Sequence, residues 1–361
     1  MRPRSVSVSA LNSTHLSGIF DIRGEVNDGT VQGAVEQACT IRKFVRAPRR
    51  LVNRLARLLP WLLPARLMRD KSLFLDWERR GYHVTPVHFY EPIPDTRTLK
   101  PTLWSTPSEC VGLVWREAHQ VQLLQRFVEN LRQEYEAFPL SETTGYYVDN
   151  PLYSKVDGEI LYCMIRTLKP ERIIEIGSGF STLLAAEASR ENQRQDPEQR
   201  CELIAIDPFP KNELKNEIAR LASLLQVPVQ EVPLSLFADL QANDILFIDS
   251  THVATIGSDV CYEMLEILPR LKRGVVVQFH DIFLPWQYPP HLIHDHFVFW
   301  NEQYLLHAFL SFNEEFEIMW SSSYMNTEHP ELLDAAFTRY VLGETRASSF
   351  WIQRRRDAAA R

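Results

Sequence analysis

The 361 residues are 45% hydrophobic and carry a formal net charge of −7. Such a chain can bury a sizeable core, in one large domain with an extension or in two domains, and its acidic balance argues against a nucleic-acid binder. The five cysteines, Cys39, Cys110, Cys163, Cys201 and Cys261, are odd in number, far apart and without C-x-x-C spacing. They indicate neither a disulfide frame nor a zinc site, and a reducing, cytoplasmic compartment is expected.

Residues 1–40 lack periodicity and are read as a disordered tail. Met1 to Phe20 has arginines and serines but no acid, which faintly resembles an organelle transit peptide. Residues 41–144 read as a mainly helical N-terminal extension. From Arg42 to Arg69 there are nine basic residues and no acid. Leu51, Val52, Leu55, Leu58 and Leu59 fall on one helical face, with Arg50, Asn53, Arg54 and Arg57 on the other. The apolar run is far short of the ~20 residues a membrane span requires. Two readings stay open: a helix that packs its leucines on the main domain, or a peripheral contact with an anionic membrane, Trp61 lying at headgroup level. Tyr82 to Pro94 is an aromatic strip whose prolines forbid a long helix, suited to a lid or to a plug on a sheet edge. Val114 to Phe138 has helical periodicity.

The core domain is expected over 145–353, with 354–361 as a tail. Val156, Ile160, Leu161 and Ile165 form the stripe of a helix. The segment Arg172 to Thr182, R-I-I-E-I-G-S-G-F-S-T, then reads as a buried strand, a glycine turn and a helix start. Gly177 and Gly179 let the backbone approach a ligand, Ser178 lies between them, and Ser181/Thr182 suit a helix cap. Such a unit directs N–H groups and a helix dipole at the carboxyl edge of a parallel sheet, where nucleotide-like ligands bind. Leu203 to Ile206 is the next strand, and Asp207 at its end could accept both hydroxyls of a ribose.

Two cofactors fit this layout. A nicotinamide dinucleotide calls for G-x-G-x-x-G, but Thr182 stands at the third glycine position. Glu175 would repel a pyrophosphate and tolerate a cationic amino acid or sulfonium ligand, which favours S-adenosylmethionine.

Further on, Leu214 to Leu225 is expected as a helix, Val227 to Val232 as the third strand, Leu236 to Leu240 as a helical turn and Ile245 to Ile248 as the fourth strand. Val260 to Leu271 reads as a helix and Val275 to Phe279 as the fifth strand. This alternation implies a parallel sheet with its strand ends on one edge. Asp249, His252, His280 and Asp281 are thereby brought together. A histidine could take the proton of a hydroxyl acceptor, oriented by Asp249 or Asp281. The same two acids could instead hold Mg²⁺, although histidine is a poor partner for that ion; metal-independent base catalysis is preferred and the metal stays open. Phe283 to His291, rich in aromatics and prolines, suits a substrate wall, and Trp300 to Phe312 a helix with Trp300, Tyr304 and His307 toward the cleft. Phe316 to Trp320 and Ser349 to Ile352 should be the last strands, with a helix near Leu332 to Leu342 between them.

The runs E-I-G-S-G-F-S-T, I-A-I-D-P, D-I-L-F-I-D-S-T-H and G-V-V-V-Q-F-H-D-I-F-L-P resemble the successive motifs of class I S-adenosylmethionine-dependent methyltransferases, in particular the small-molecule type with F-I-D-S-x-H and H-D-I signatures. The resemblance spans roughly 145–353. It implies a Rossmann-like, doubly wound, mostly parallel seven-stranded sheet with the last strand antiparallel, and it leaves the acceptor undefined. It also places the loop carrying Asn150 and Ser154 near the amino acid part of the cofactor. The resulting expectation is O-methylation of a small molecule or glycosyl unit, with Glu175, Gly177, Ser178, Gly179 and Asp207 on the cofactor. A nicotinamide-dependent oxidoreductase and a non-catalytic membrane-peripheral scaffold are the alternatives.

Overall fold

The computed structural model describes residues 70–141 and 145–355. The expectations for residues 1–40, for Arg42–Arg69 and for the end of the chain beyond 355 lie outside the described residues. The chain divides into two compact units, Met1–Lys100 and Pro101–Arg361. In the first, Asp70 caps helix α1 (Lys71–Glu78) by accepting the Leu73 N–H at 3.0 Å. After Gly81 no further α-helix forms before Lys100, as Pro86, Pro92 and Pro94 dictate, and Tyr82, Phe89 and Tyr90 stand exposed.

The second unit is built on one sheet. Its elements in chain order are α2 (Glu117–Glu136), α3 (Asp157–Leu168), β1 (Arg172–Ile176), α4 (Phe180–Gln195), β2 (Glu202–Ile206), α5 (Asn212–Leu221), β3 (Ser223–Leu225), α6 (Leu234–Ala238), β4 (Ile245–Ile248), α7 (Asp259–Tyr262), β5 (Val276–Phe279), α8 (Pro290–His294), α9 (Glu302–Leu310), β6 (Phe316–Ser321), α10 (Ser322–Glu328), α11 (Pro330–Ala336) and β7 (Phe350–Arg354). Helix α7 continues through a π turn, Glu263–Ile267, and a 3-10 turn, Leu268–Arg270. The seven strands lie in the order β3-β2-β1-β4-β5-β7-β6. β1 to β5 are parallel, and β7 runs antiparallel to both β5 and β6. This is the doubly wound α/β sheet, and its order reverses between β1 and β4, where a crevice opens.

Period-two alternation sends neighbouring residues to opposite faces. Ile173, Leu203, Ala205, Ile245 and Phe247 join the core under α2, α3 and α4, while Ile174, Ile176, Ile204, Ile206 and Ile248 join the other core with Val260 and Ile267. Each such side chain larger than alanine contributes roughly 1.5–3 kcal/mol by burial. Helix α2 belongs to this unit: the buried Arg166 guanidinium of α3 donates to the Glu134 carboxylate of α2 at 2.8 and 3.0 Å.

Four expectations are corrected. The third strand is Ser223–Leu225, not Val227 to Val232, and α5 stops at Leu221 rather than Leu225. Pro228 lies within the expected strand and Pro233 directly after it, and without their N–H groups the segment forms a 3-10 turn, Val229–Glu231, instead of a ladder. The last strand reaches Arg354, whose guanidinium pairs with Glu315 at 3.1 Å. The expected helix near Leu332 to Leu342 is α11, started by Pro330 at its first position and finished at Ala336, with α10 preceding it. Among the described residues no helix is long and apolar enough to cross a membrane.

Candidate active site

Gly177 closes β1 with φ +102°, a conformation that favours glycine, and a Cβ there would fall against the Asp249 carbonyl oxygen. Gly179 is different. Its backbone is extended, φ 174°, so the turn does not demand glycine there, and the space around its Cα is open. Ser181 and Thr182 act behind the turn rather than as the cap residue: Ser181 Oγ donates to Glu175, and Thr182 Oγ1 accepts the Gly179 N–H at 3.0 Å.

A cavity of about 560 Å³ opens at the carboxyl ends of β1, β2 and β4. Gly177, Ser178, Asp207 and Asp249 line it, with Phe209, Val229 and Gln230 at one side and Thr251, Ser258 and Asp259 at another. The Asp207 carboxylate accepts from Ser178 Oγ at 2.6 Å and from the Phe209 N–H at 2.8 Å, which fixes its direction. The Asp259 carboxylate holds the Thr251 N–H at 3.0 Å and its hydroxyl at 2.6 Å.

Glu175 lies beneath the turn rather than in this lining, 1% exposed, on the Ile173 face of β1. Its Oε2 has no hydrogen-bond partner. Burial, assisted by the charges of Asp249 and Asp207, pushes its carboxyl up to about 8. Asn150 is not available to a ligand. Its amide nitrogen donates to the Tyr147 and Tyr153 carbonyls and its oxygen accepts the Leu152 and Tyr153 N–H groups, so it structures its own loop.

The four residues expected at the ends of β4 and β5 do converge. Asp249 Oδ1 is 3.4 Å from both His252 Nε2 and His280 Nδ1. Asp281 Oδ2 lies 3.7 Å from His252 Nε2 and 3.9 Å from His280 Nδ1. Three of the four groups, Asp249, His280 and Asp281, offer ligand atoms all within 4.8 Å of one another, a set that could hold a metal ion. Both His252 and Asp281 have left-handed backbones, φ +61° and +55°.

Two further carboxylates stand behind the histidines, and sequence reasoning passed over both. Glu302, fully buried at the start of α9, meets His252 Nδ1 at 2.8 Å. Asp157, at the start of α3, lies 3.7 Å from His280 Nε2 and accepts the Ser348 and Ser349 N–H groups at 2.7 and 2.9 Å. Neither has a local signature, since each partner is distant in sequence. Burial alone would lower the His252 imidazole, but the carboxylates of Asp249, Glu302 and Asp281 outweigh it and raise it well above the ordinary histidine value. His280 is raised likewise, against burial, by Asp281, Asp249 and Asp157. Asp249 is held well below the usual carboxylate range, its burial outweighed by the two imidazoles. The surrounding carboxylates thus favour the protonated form of both imidazoles, where the sequence alone implies an ordinary histidine base.

Residues 174–282 match the family model described as a methyltransferase domain. An uncharacterised protein of Archaeoglobus fulgidus is 31% identical over 171 residues, which cover 44% of this chain and 74% of that protein. Among solved structures, the chain is similar to the TDP-rhamnose 3'-O-methyltransferase of calicheamicin biosynthesis (13% identity, 66% of this chain and 94% of that chain, TM-score 0.37). It is also similar to an O-methyltransferase from Bacillus cereus in complex with SAH (11% identity, 64% and 89%, TM-score 0.30). With the strand order, the glycine turn and the matched domain together, the chain belongs to the class I S-adenosylmethionine-dependent methyltransferase family.

Proposed function

We propose that the enzyme transfers the methyl group of S-adenosylmethionine to an oxygen of a small molecule or glycosyl unit at the edge formed by β4 and β5. One observation carries this reading: Asp249 belongs at once to the cavity that also holds Gly177 and Asp207 and to the cluster with His252, His280 and Asp281. A cofactor in the cavity therefore presents its methyl group beside titratable side chains. Gly177 and Ser178 form the floor and Asp207 takes the ribose hydroxyls, while Glu175, buried below the turn and outside the lining, supports the turn through Ser181.

The chemistry needs little beyond alignment and a proton acceptor. Bound S-adenosylmethionine would supply the electrophilic methyl group, giving it to the acceptor oxygen and leaving as neutral S-adenosylhomocysteine. The hydroxyl proton goes to His252 or His280. Asp249, which lines the cavity and lies 3.4 Å from both imidazoles, would couple the charge of a bound cofactor to the proton affinity of that base. The wall for a ring-shaped acceptor is aromatic: Trp300 lies 4.5 Å from the His252 ring, and Tyr288 meets Trp300 edge-on at 5.9 Å.

The metal reading follows from the donors. Two carboxylates and an imidazole suit a divalent ion that accepts nitrogen, such as Mn²⁺ or Zn²⁺, better than Mg²⁺. Asp249, His280 and Asp281 would hold it, and it would supply a lowered pKa for the acceptor hydroxyl.

Isothermal titration with S-adenosylmethionine, S-adenosylhomocysteine and NAD⁺, in EDTA, Mg²⁺ and Mn²⁺, tests the cofactor assignment; methyl transfer to catechol and to TDP-rhamnose as probe acceptors tests the chemistry. Binding of both adenosyl ligands without NAD⁺ binding, and transfer that survives EDTA, is the expected result. Absence of adenosyl binding removes the proposal, and turnover only with Mn²⁺ or Mg²⁺ replaces base catalysis by the metal.

A further inference from the structure

Of the two histidines of the cluster, only His252 has a ring nitrogen within 3 Å of a carboxylate. We infer that Trp300-Asn301-Glu302 is a clamp that sets the ring orientation of His252 and keeps a proton on its Nδ1, so that Nε2 is the nitrogen turned toward the acceptor. The inference deepens the proposed function and rests on it for the catalytic role.

The clamp grips His252 on three sides. Its carbonyl accepts the N–H groups of Asn301 and Glu302 at 3.0 and 3.2 Å, which secures a backbone that sits at φ +61°, unfavourable for a side chain with a Cβ. The Asn301 side-chain oxygen takes the Ala254 N–H at 2.6 Å and so fixes the chain just beyond the histidine. Trp300 packs at 4.5 Å and 55° against the imidazole. Glu302 then meets Nδ1 at 2.8 Å, the shortest contact either ring nitrogen makes to a carboxylate.

A carboxylate that accepts one hydrogen bond from Nδ1–H dictates which nitrogen is left for chemistry. Here that nitrogen is Nε2, facing the gap between Asp249 and Asp281 at 3.4 and 3.7 Å. His280 has no comparable partner: Nδ1 and Nε2 both stand 3.4 Å or more from their carboxylates. Glu302 itself is 0% exposed, and its second oxygen has no partner. Burying a carboxylate against a single imidazole is costly unless the arrangement serves that imidazole. The tripeptide lies about fifty positions from His252 and only α9 brings it there.

The test uses full-length protein labelled with ¹⁵N-histidine, with S-adenosylhomocysteine bound. In the wild type the His252 Nδ1–H should give a slowly exchanging downfield resonance, assigned by its loss in His252→Ala. Glu302→Leu, of similar volume, should abolish it, while Glu302→Gln, which keeps an acceptor oxygen, should retain it. A residue that merely fills space would treat both variants alike. For the probe acceptor that the wild type methylates, catechol or TDP-rhamnose, Glu302→Leu should lower kcat about 10- to 100-fold with the KM for S-adenosylmethionine unchanged. The double variant His252→Ala/Glu302→Leu should be no slower than His252→Ala alone. Persistence of the Nδ1–H resonance in Glu302→Leu overturns the clamp. Full activity in His252→Ala overturns the catalytic role separately, and unaltered S-adenosylhomocysteine binding in every variant shows that the fold is intact.

Discussion

Replacing Glu175 by Gln should flatten the pH dependence of stability. The carboxyl titrates at about 8 in the folded protein against 4.5 for an ordinary glutamate, burial being the main cause. Between those pH values the native state binds a proton that the unfolded chain does not, so stability falls as pH rises. The contribution is fully present below pH 4.5 and is lost as pH rises through 8. At 1.36 kcal/mol per unit the slope is at most about 1.4 kcal/mol per pH unit, and the total about 5 kcal/mol, an upper bound for a group whose site can relax. Glutamine has the same shape but cannot ionise, so this slope vanishes. Its amide N–H₂ meets no acceptor in place of Oε2 and adds a constant cost of about 1–3 kcal/mol at every pH. The informative quantity is thus the slope, not the offset. Urea unfolding at pH 5, 6, 7 and 8, at constant ionic strength, reads it directly. Wild type and Glu175→Gln giving parallel profiles would refute the argument, because no buried proton would then be tied to this residue.

Two other outcomes follow from the same geometry. Gly177→Ala places a Cβ against the Asp249 carbonyl at φ +102°, so the strain should cost about 1–3 kcal/mol and push Asp249 aside by roughly 1 Å, enough for about a 100-fold loss of transfer; a thermal scan and titration with S-adenosylhomocysteine check it, and wild-type affinity in this variant contradicts the assigned turn. Asp157→Ala removes the carboxylate that accepts the Ser348 and Ser349 N–H groups and the Ser322 hydroxyl at 2.9 Å; the hydroxyl can turn to Ser349 Oγ, but the two N–H groups lose this acceptor beside β7. A loss of about 3–5 kcal/mol is expected by calorimetry, and melting with the wild type would show that this junction carries no stability.

Much of the fold was readable because it depends on local rules. The continuous apolar runs in R-I-I-E-I and L-I-A-I, the glycine with positive φ at 177, and carboxylates or histidines placed directly after strands are written residue by residue. A parallel sheet then puts those strand ends on one edge without further information, which is why Asp207, Asp249, His252, His280 and Asp281 could be named together. The third strand escaped notice since three residues at a sheet edge leave no period to detect, while the apolar run after it is held off the ladder by two prolines.

The sequence by itself determined the strand-turn-helix unit and the residue types at the strand ends. Only the tertiary structure decided how those groups behave. Glu302 and Asp157 reach the histidines from helix starts far along the chain, and with Asp249 and Asp281 they raise the proton affinity of the imidazoles against the effect of burial. Glu175, written as a simple partner for a cation, is carried by its strand parity beneath the turn, where burial keeps it neutral. Charge state and proton position depend on what surrounds a group in space, and that surrounding is assembled from segments whose sequence separation hides their contact.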